Sequence, residues 1–228
     1  MDIKQKIYWL MQAGITCFCS EEPKQSQASF VSTEDTPATA QATAAANQAK
    51  DLSALNTDKK DFNLSNLKKT AAHTILGVGN PKARLMCILD TPDADSDRAG
   101  QALSGAQGDL FRKMMAAIHL NPEKDVYVTY LSPWRTPGNR ALTATEQALF
   151  LPFLQQEIRL VRPQKILLFG TSVAQALLGL DSLAKARGTW HHWESIPVRV
   201  TLALSLVNKN QTNRQHVWAD LQEIEKSA

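Results

Sequence analysis

Residues 162–179 read RPQKILLFGTSVAQALLG, and their reading decides the fold. Lys165–Phe169 is a near-continuous apolar run of the kind a strand needs when both faces of its sheet are covered. Residues 172–178 then read as a short helix. Three further runs share the strand character: 84–89 (RLMCIL), 126–131 (VYVTYL) and 198–204 (VRVTLAL). Amphipathic stretches separate them. One covers 108–118, and the last, 213–226, closes the chain. Another spans 143–161, where Thr143 and Glu146 form a capping box and Pro152 is expected to interrupt the helix. Strands and helices alternating in this way predict an α/β domain of three layers, α/β/α, with a mainly parallel four-stranded sheet.

Upstream of this pattern the composition shifts. Of the 25 residues in 25–49, 19 are Ala, Ser, Thr or Gln. Such a stretch buries too little apolar surface to offset its ordering entropy, so 21–61 is expected to be a flexible, disordered linker. Before it, Ile3, Ile7, Leu10 and Met11 recur at helical spacing, and Gly14 ends the turn in a left-handed cap. Ile15 and Phe18 continue the apolar pattern in extended form. Twenty residues cannot build a core. A partner's groove is therefore the expected destination of the short helical peptide 1–20, with docking on its own domain or a secretion signal as the alternatives. Gln12 breaks the apolar run and no small-x-small cleavage site follows, which argues against secretion. The expected organisation is thus peptide 1–20, linker 21–61 and domain 62–228.

The chain of 228 residues carries a formal charge of +3. Residues 1–61 hold 6 Lys/Arg against 8 Asp/Glu, whereas 62–228 hold 19 against 14. The domain is mildly basic without a dense Lys/Arg run, a balance that permits nucleic-acid contact and does not demand it. No stretch is apolar for the roughly 18 residues a membrane helix needs. Cys17, Cys19 and Cys87 are too few for a disulfide framework or a four-thiolate site, and a reducing cytoplasm is the expected compartment.

The strings ILDTPDADSD (88–97), VYVTYLSPWRTPGNR (126–140), RPQKILLFGTSVAQALLG (162–179), RGTWHHWESIPV (187–198) and VWADL (217–221) occur in the order and spacing of family-four uracil-DNA glycosylases, which the region 70–224 resembles. The resemblance implies a glycosylase-like fold and a base-excision pocket, but the positions that carry the chemistry depart from the family pattern. Its Gly-Glu-Ala-Pro-Gly motif corresponds here to Leu89-Asp90-Thr91-Pro92-Asp93, which keeps an acid in Asp90 and loses both glycines. Its base-stacking aromatic falls at Leu103, its uracil-reading asparagine at Tyr130, and the histidine that stabilises the departing base at Ala203. Two of its four iron–sulfur cysteines fall at Trp134 and Phe150, so the resemblance implies a domain without the cluster. Asp90, Pro92, Leu103, Tyr130 and Ala203 are then expected to be a vestigial pocket, with Arg135 and Arg140 bracketing PGN as phosphate contacts or loop anchors.

Other polar residues carry weaker signals. His191 and His192 are adjacent and point apart in extended backbone, and no metal site is expected. The acidic run Asp90, Asp93, Asp95 and Asp97 lacks the spacing of a calcium loop and reads as solvated. Cys87 reads as a buried small hydrophobe.

The segment 7–18 resembles the N-terminal peptide of the psi subunit of bacterial DNA polymerase III, whose pattern is an aromatic two before a leucine, then Gly-Ile-Thr and an aromatic. Ile7, Tyr8, Leu10, Met11, Gly14, Ile15, Thr16 and Phe18 carry it here. That resemblance implies docking on the clamp-loader gamma/tau subunits. It also implies contact of the folded domain with the chi subunit, and through chi with single-stranded-DNA-binding protein. The expectation from the whole sequence is a non-catalytic, psi-like replisome scaffold; the alternative is a divergent uracil-DNA glycosylase-like repair enzyme in which Asp90 activates water.

Overall fold

The computed structural model describes residues 37–226. Helices α1 (Pro37–Gln48), α2 (Leu52–Asp61) and α3 (Leu67–Thr70) precede the sheet. The chain then runs through β1 (Val78–Gly79), β2 (Leu85–Leu89), α4 (Ala94–Ala99), α5 (Gly105–Ala117) and β3 (Val126–Tyr130). After a 3-10 turn at Pro137–Asn139 come α6 (Ala144–Val161), β4 (Lys165–Phe169), α7 (Thr171–Leu178) and α8 (Leu183–Ala186). The hairpin of β5 (Trp190–Trp193) and β6 (Ile196–Thr201), then α9 (Leu204–Val207) and α10 (Gln211–Lys226), complete the described chain.

The sheet has six strands in the order β1-β3-β2-β4-β6-β5. Its four inner strands are parallel and are the four read from sequence, whereas β1 and β5 add antiparallel edges. The three-layer α/β/α expectation is met, and the strand count is corrected from four to six. A strand of two residues has no periodicity to detect, and β5 reads WHHW, which lacks the aliphatic run that marked the others.

Side chains alternate across the sheet as a pleat demands. Met86, Ile88, Ile166, Leu168, Val198 and Val200 face one core, shared with α1, α2, α6 and α7. Leu85, Cys87, Leu89, Leu167 and Phe169 face the other, under α5, α9 and α10. Cys87 is completely buried there, and burial pushes its thiol well above the usual range. The capping box of α6 is present in both directions. The expected break at Pro152 is not: α6 passes through it, because Leu149, Phe150, Phe153 and Leu154 anchor both sides in the core and outweigh one lost backbone bond.

The expected linker is corrected over its second half, since 37–48 and 52–61 are helices packed on α6. Ala42, Ala46 and Ala49 are buried against it, and Gln156 donates to the Ala49 carbonyl at 2.8 Å. Alanine's small side chain fits a close helix contact as readily as a solvated linker, so composition alone favoured the wrong outcome. The folded unit takes in residues from 37 onward. The expected peptide 1–20 and the rest of the linker lie outside the described residues.

A buried ionic cluster fastens this N-terminal addition to the sheet. Lys59 of α2 meets Glu157 of α6 at 2.5 Å, and Glu157 also accepts from the Tyr127 hydroxyl at 2.8 Å and from Thr129 at 2.9 Å. Glu157 is fully buried, so it cannot be left unpaired cheaply. Lys59→Ala is expected to destabilise the fold by about 3 kcal/mol, because it strands that carboxylate. Urea unfolding checks this as a lowered midpoint at an unchanged slope.

Candidate active site at the switch point of the sheet

From β2 the chain crosses to β3 on one side and later returns to β4 on the other. Ligands of open α/β sheets sit where the strand order reverses, beyond the carboxyl ends of the strands. Asp90 is the first residue past β2, and Gly170 is the first past β4. A cavity of about 420 Å3 opens there, bounded by the 90–93 turn, the start of α5, the 139–142 loop and α9.

Asp90 is held by its neighbours. The Val173 backbone N–H, in the first turn of α7, donates to Oδ1 at 3.0 Å. Gly170 has φ near +105°, and a Cβ there would stand 2.4 Å from Asp90 Oδ2. A glycine is therefore needed twice over, for its backbone angle and for the room it leaves the carboxyl group. Burial pushes the Asp90 carboxyl up to about 6, and the Val173 N–H lowers it only in part. Such a group changes protonation close to neutral pH, the range useful to a general base.

Of the five expected pocket residues, Asp90, Pro92 and Ala203 line the cavity together. Leu103 and Tyr130 are not among the lining residues. The Tyr130 hydroxyl accepts from the Leu103 N–H at 3.1 Å, and Leu103 itself sits at φ 54°, an uncommon angle for leucine. Gly108 makes the tight loop feasible, since a Cβ at that position would collide with the Leu103 carbonyl. Tyr130 therefore works as a loop pin.

Arg140 lines the cavity but spends its guanidinium on Glu146, at 2.7 and 2.8 Å, and Arg135 donates to Asn139 at 2.8 Å. Both arginines anchor the 135–146 loop. The acidic run is also not the solvated loop expected. Asp93 caps α4 by accepting from Ser96 N–H at 2.9 Å, and buried Asp97 accepts from the N–H groups of Ala72 and His73. His191 is buried against the Ala186 carbonyl at 2.8 Å while His192 is exposed. No group of His, Cys, Asp and Glu suited to a metal ion occurs among the described residues.

Residues that sequence reasoning missed complete the cavity. Phe169, at the end of β4, lies buried in the cavity wall with its ring edge-on to Phe111. Gln107 brings an amide from the first turn of α5, and Ser205 brings a hydroxyl from α9. Gly170 carried a legible signal as a glycine at a strand-to-helix turn. Gln107 carried none, because a glutamine on an exposed first turn is ordinary.

Trp134 and Phe150 pack edge to face with ring centroids 5.6 Å apart, and both are almost fully buried. Trp134 Nε1 donates to Thr74 at 3.0 Å, and Lys68 lies over the indole. The space is closed by these side chains apart from a void of about 10 Å3.

These features define a doubly wound α/β domain with a carboxyl group poised in a pocket at the switch point of its sheet. The chain belongs to the Uracil DNA glycosylase superfamily, whose sequence pattern matches residues 76–222. It is 35% identical over 117 residues to a type-4 uracil-DNA glycosylase of Archaeoglobus fulgidus, a match covering 51% of this chain and 58% of that protein. With the type-4 enzyme of Pyrobaculum aerophilum it shares 28% over 160 residues, 68% of this chain and 81% of the relative. With that of Saccharolobus solfataricus it shares 29% over 132 residues, 56% and 61% respectively. The chain thus spans less than two thirds of the first and third of these relatives. Relatives named as glycosylases correct the expectation of a psi-like replisome scaffold. The segment 7–18, on which that expectation leaned, lies outside the described residues. No helix among the described residues is long and apolar enough to cross a membrane.

Asp90 also makes stability depend on pH. Its carboxyl holds a proton more tightly in the folded state than in the unfolded chain, whose value is near 3.8. That contribution is complete below about pH 4 and is lost as pH rises through about 6. Asp90→Asn keeps the acceptor for Val173 and removes the titration. The variant is expected to exceed wild type in stability by about 3 kcal/mol at pH 8 and to converge with it at pH 4. Denaturant midpoints across that range check the crossover.

Proposed function

We propose that the domain is a divergent DNA-repair glycosylase that removes a flipped-out, uracil-like lesion base, with Asp90 activating the attacking water. The observation that carries this reading is the Asp90 carboxyl, raised to about 6 and locked by Gly170 and Val173 in a cavity of about 420 Å3 at the switch point. The kinship to type-4 enzymes supports it.

The ionised Asp90 accepts a proton from water, and the water oxygen bonds to the anomeric carbon as the glycosidic C–N bond breaks. The base leaves with the bonding electron pair and takes up a proton afterwards, directly or through solvent. Extrusion of the base into the cavity costs unstacking energy, which is smallest for damaged or unpaired bases. The buried Phe169 ring closes the wall of the cavity, and the Gln107 amide supplies both a donor and an acceptor for the edge of the base. Ala203 offers the departing base no donor, and a missing donor of this kind costs about a hundred- to thousand-fold in rate. The reading therefore favours lesion bases that leave readily without such help.

The domain works without an iron–sulfur cluster in this reading. Two of the family's cluster cysteines correspond by resemblance to Trp134 and Phe150, which pack edge to face, and Cys87, buried inside β2, is the only cysteine among the described residues. Purified protein is expected to contain no stoichiometric iron and to lack visible cluster absorption.

A single-stranded oligonucleotide with one uracil or another deaminated base tests the activity through strand cleavage at the abasic product. Wild type is expected to release the base with a kcat/KM that rises with pH around a midpoint near 6, where Asp90 ionises. Asp90→Asn is expected to lower it by about a hundredfold or more. Absence of release from every deaminated base, or full activity in Asp90→Asn, overturns the proposal.

A further inference from the structure

At the amino-terminal end of the parallel strands, opposite the Asp90 cavity, lies a second cavity of about 370 Å3. Its floor is apolar, built from Ala83, Leu85, Ile118, Leu120 and Ile224. Lys82, Arg84, Lys124 and Lys165 stand around it. None of these four side chains has a carboxylate or other hydrogen-bonding partner among the described residues. The two acids at the rim are already engaged: Asp125 accepts from the Asn121 N–H at 2.7 Å, and Glu225 faces His119 at 3.6 Å.

The rim is braced. Asn80 donates to the Lys124 carbonyl at 2.7 Å and accepts from the Lys82 N–H at 2.9 Å, tying two of the cationic segments together. The Arg84 carbonyl accepts from both Gln164 and Lys165, tying in the other two. Partial burial of Lys165 disfavours its charge, and no partner among the described residues offsets that cost.

We infer that this cavity is a docking site for an acidic peptide segment of a partner protein, one that seats an apolar side chain on the floor and places carboxylates against Lys82, Arg84, Lys124 and Lys165. Charge complementarity points to an anionic occupant, and the apolar floor points to one with bulky aliphatic or aromatic side chains. A compact phosphate is poorly served, because it leaves the apolar floor uncovered. A nucleic-acid single strand is also poorly served, because no aromatic ring lines the cavity for its bases to stack on. DNA held at the Asp90 cavity would lie at the other end of the strands, so both occupants can be bound at once. The inference does not depend on the glycosylase reading.

Binding of a fluorescein-labelled peptide that alternates aspartate with leucine and phenylalanine to the full chain tests it, read by fluorescence anisotropy. Saturable, salt-sensitive binding is expected. It should weaken by at least about tenfold in Arg84→Glu/Lys124→Glu and in Leu120→Asp, each checked for an unchanged circular dichroism spectrum. Poly-aspartate and an oligothymidylate are expected to compete poorly. Equal competition by either would overturn the inference in favour of a general polyanion surface. Absence of binding, or binding unaffected by both variants, would also overturn it. Base-release assays run in parallel on Arg84→Glu/Lys124→Glu separate the two sites, since that activity is expected to be unchanged.

Discussion

The contact between Asp90 and Gly170 is the constraint on which the functional end of this molecule depends. Two parallel strands end side by side, and the chain must leave them in opposite directions, which opens a crevice. Because Gly170 has no Cβ, a carboxyl group can lie within that crevice, and because α7 begins there, a free backbone N–H is available to hold it. Desolvation in the crevice lifts the acid toward neutrality. One glycine thus couples the geometry of the sheet to the protonation of the site.

A comparable economy governs the opposite layer. Glu157 is buried beneath α2, where an unpaired carboxylate would be expensive, and it is met by Lys59, Tyr127 and Thr129. Those partners come from a helix before the sheet and a strand within it, so the cluster specifies where the N-terminal helices dock as well as contributing to stability. The alanine face of α1 then packs closely on α6 without large side chains to set its register. Much of the register comes instead from the ionic contact and from Gln156 at the Ala49 carbonyl.

The inner strands and the cap of α6 were legible because their signals are local: continuous apolar runs and a Thr143–Glu146 pair three residues apart. The edges were not, since a two-residue strand and an aromatic hairpin depend on neighbours distant in sequence. The helices at 37–61 were hidden for a related reason. Alanine-rich sequence folds only when something covers it, and what covers it is α6, about a hundred residues away. At the site, Asp90, Pro92 and Ala203 line one cavity because they follow strand ends. Leu103 and Tyr130 lie outside that lining, because a position along the chain does not fix which way a side chain points.

That last difference has a chemical consequence. Tyr130 is engaged by the Leu103 N–H, the loop carrying Leu103 is wedged against Gly108, and Trp134 is stacked on Phe150 with its indole N–H spent on Thr74. Each of these side chains is held by its own partners, so together they form a packed and hydrogen-bonded set beside the pocket. The region around the pocket is therefore close-packed, while the Asp90 crevice stays open. A carboxyl held at a desolvation cost beside an open cavity in a close-packed domain is a feature that stability alone does not favour, and this asymmetry is the strongest physical reason to look for chemistry at Asp90.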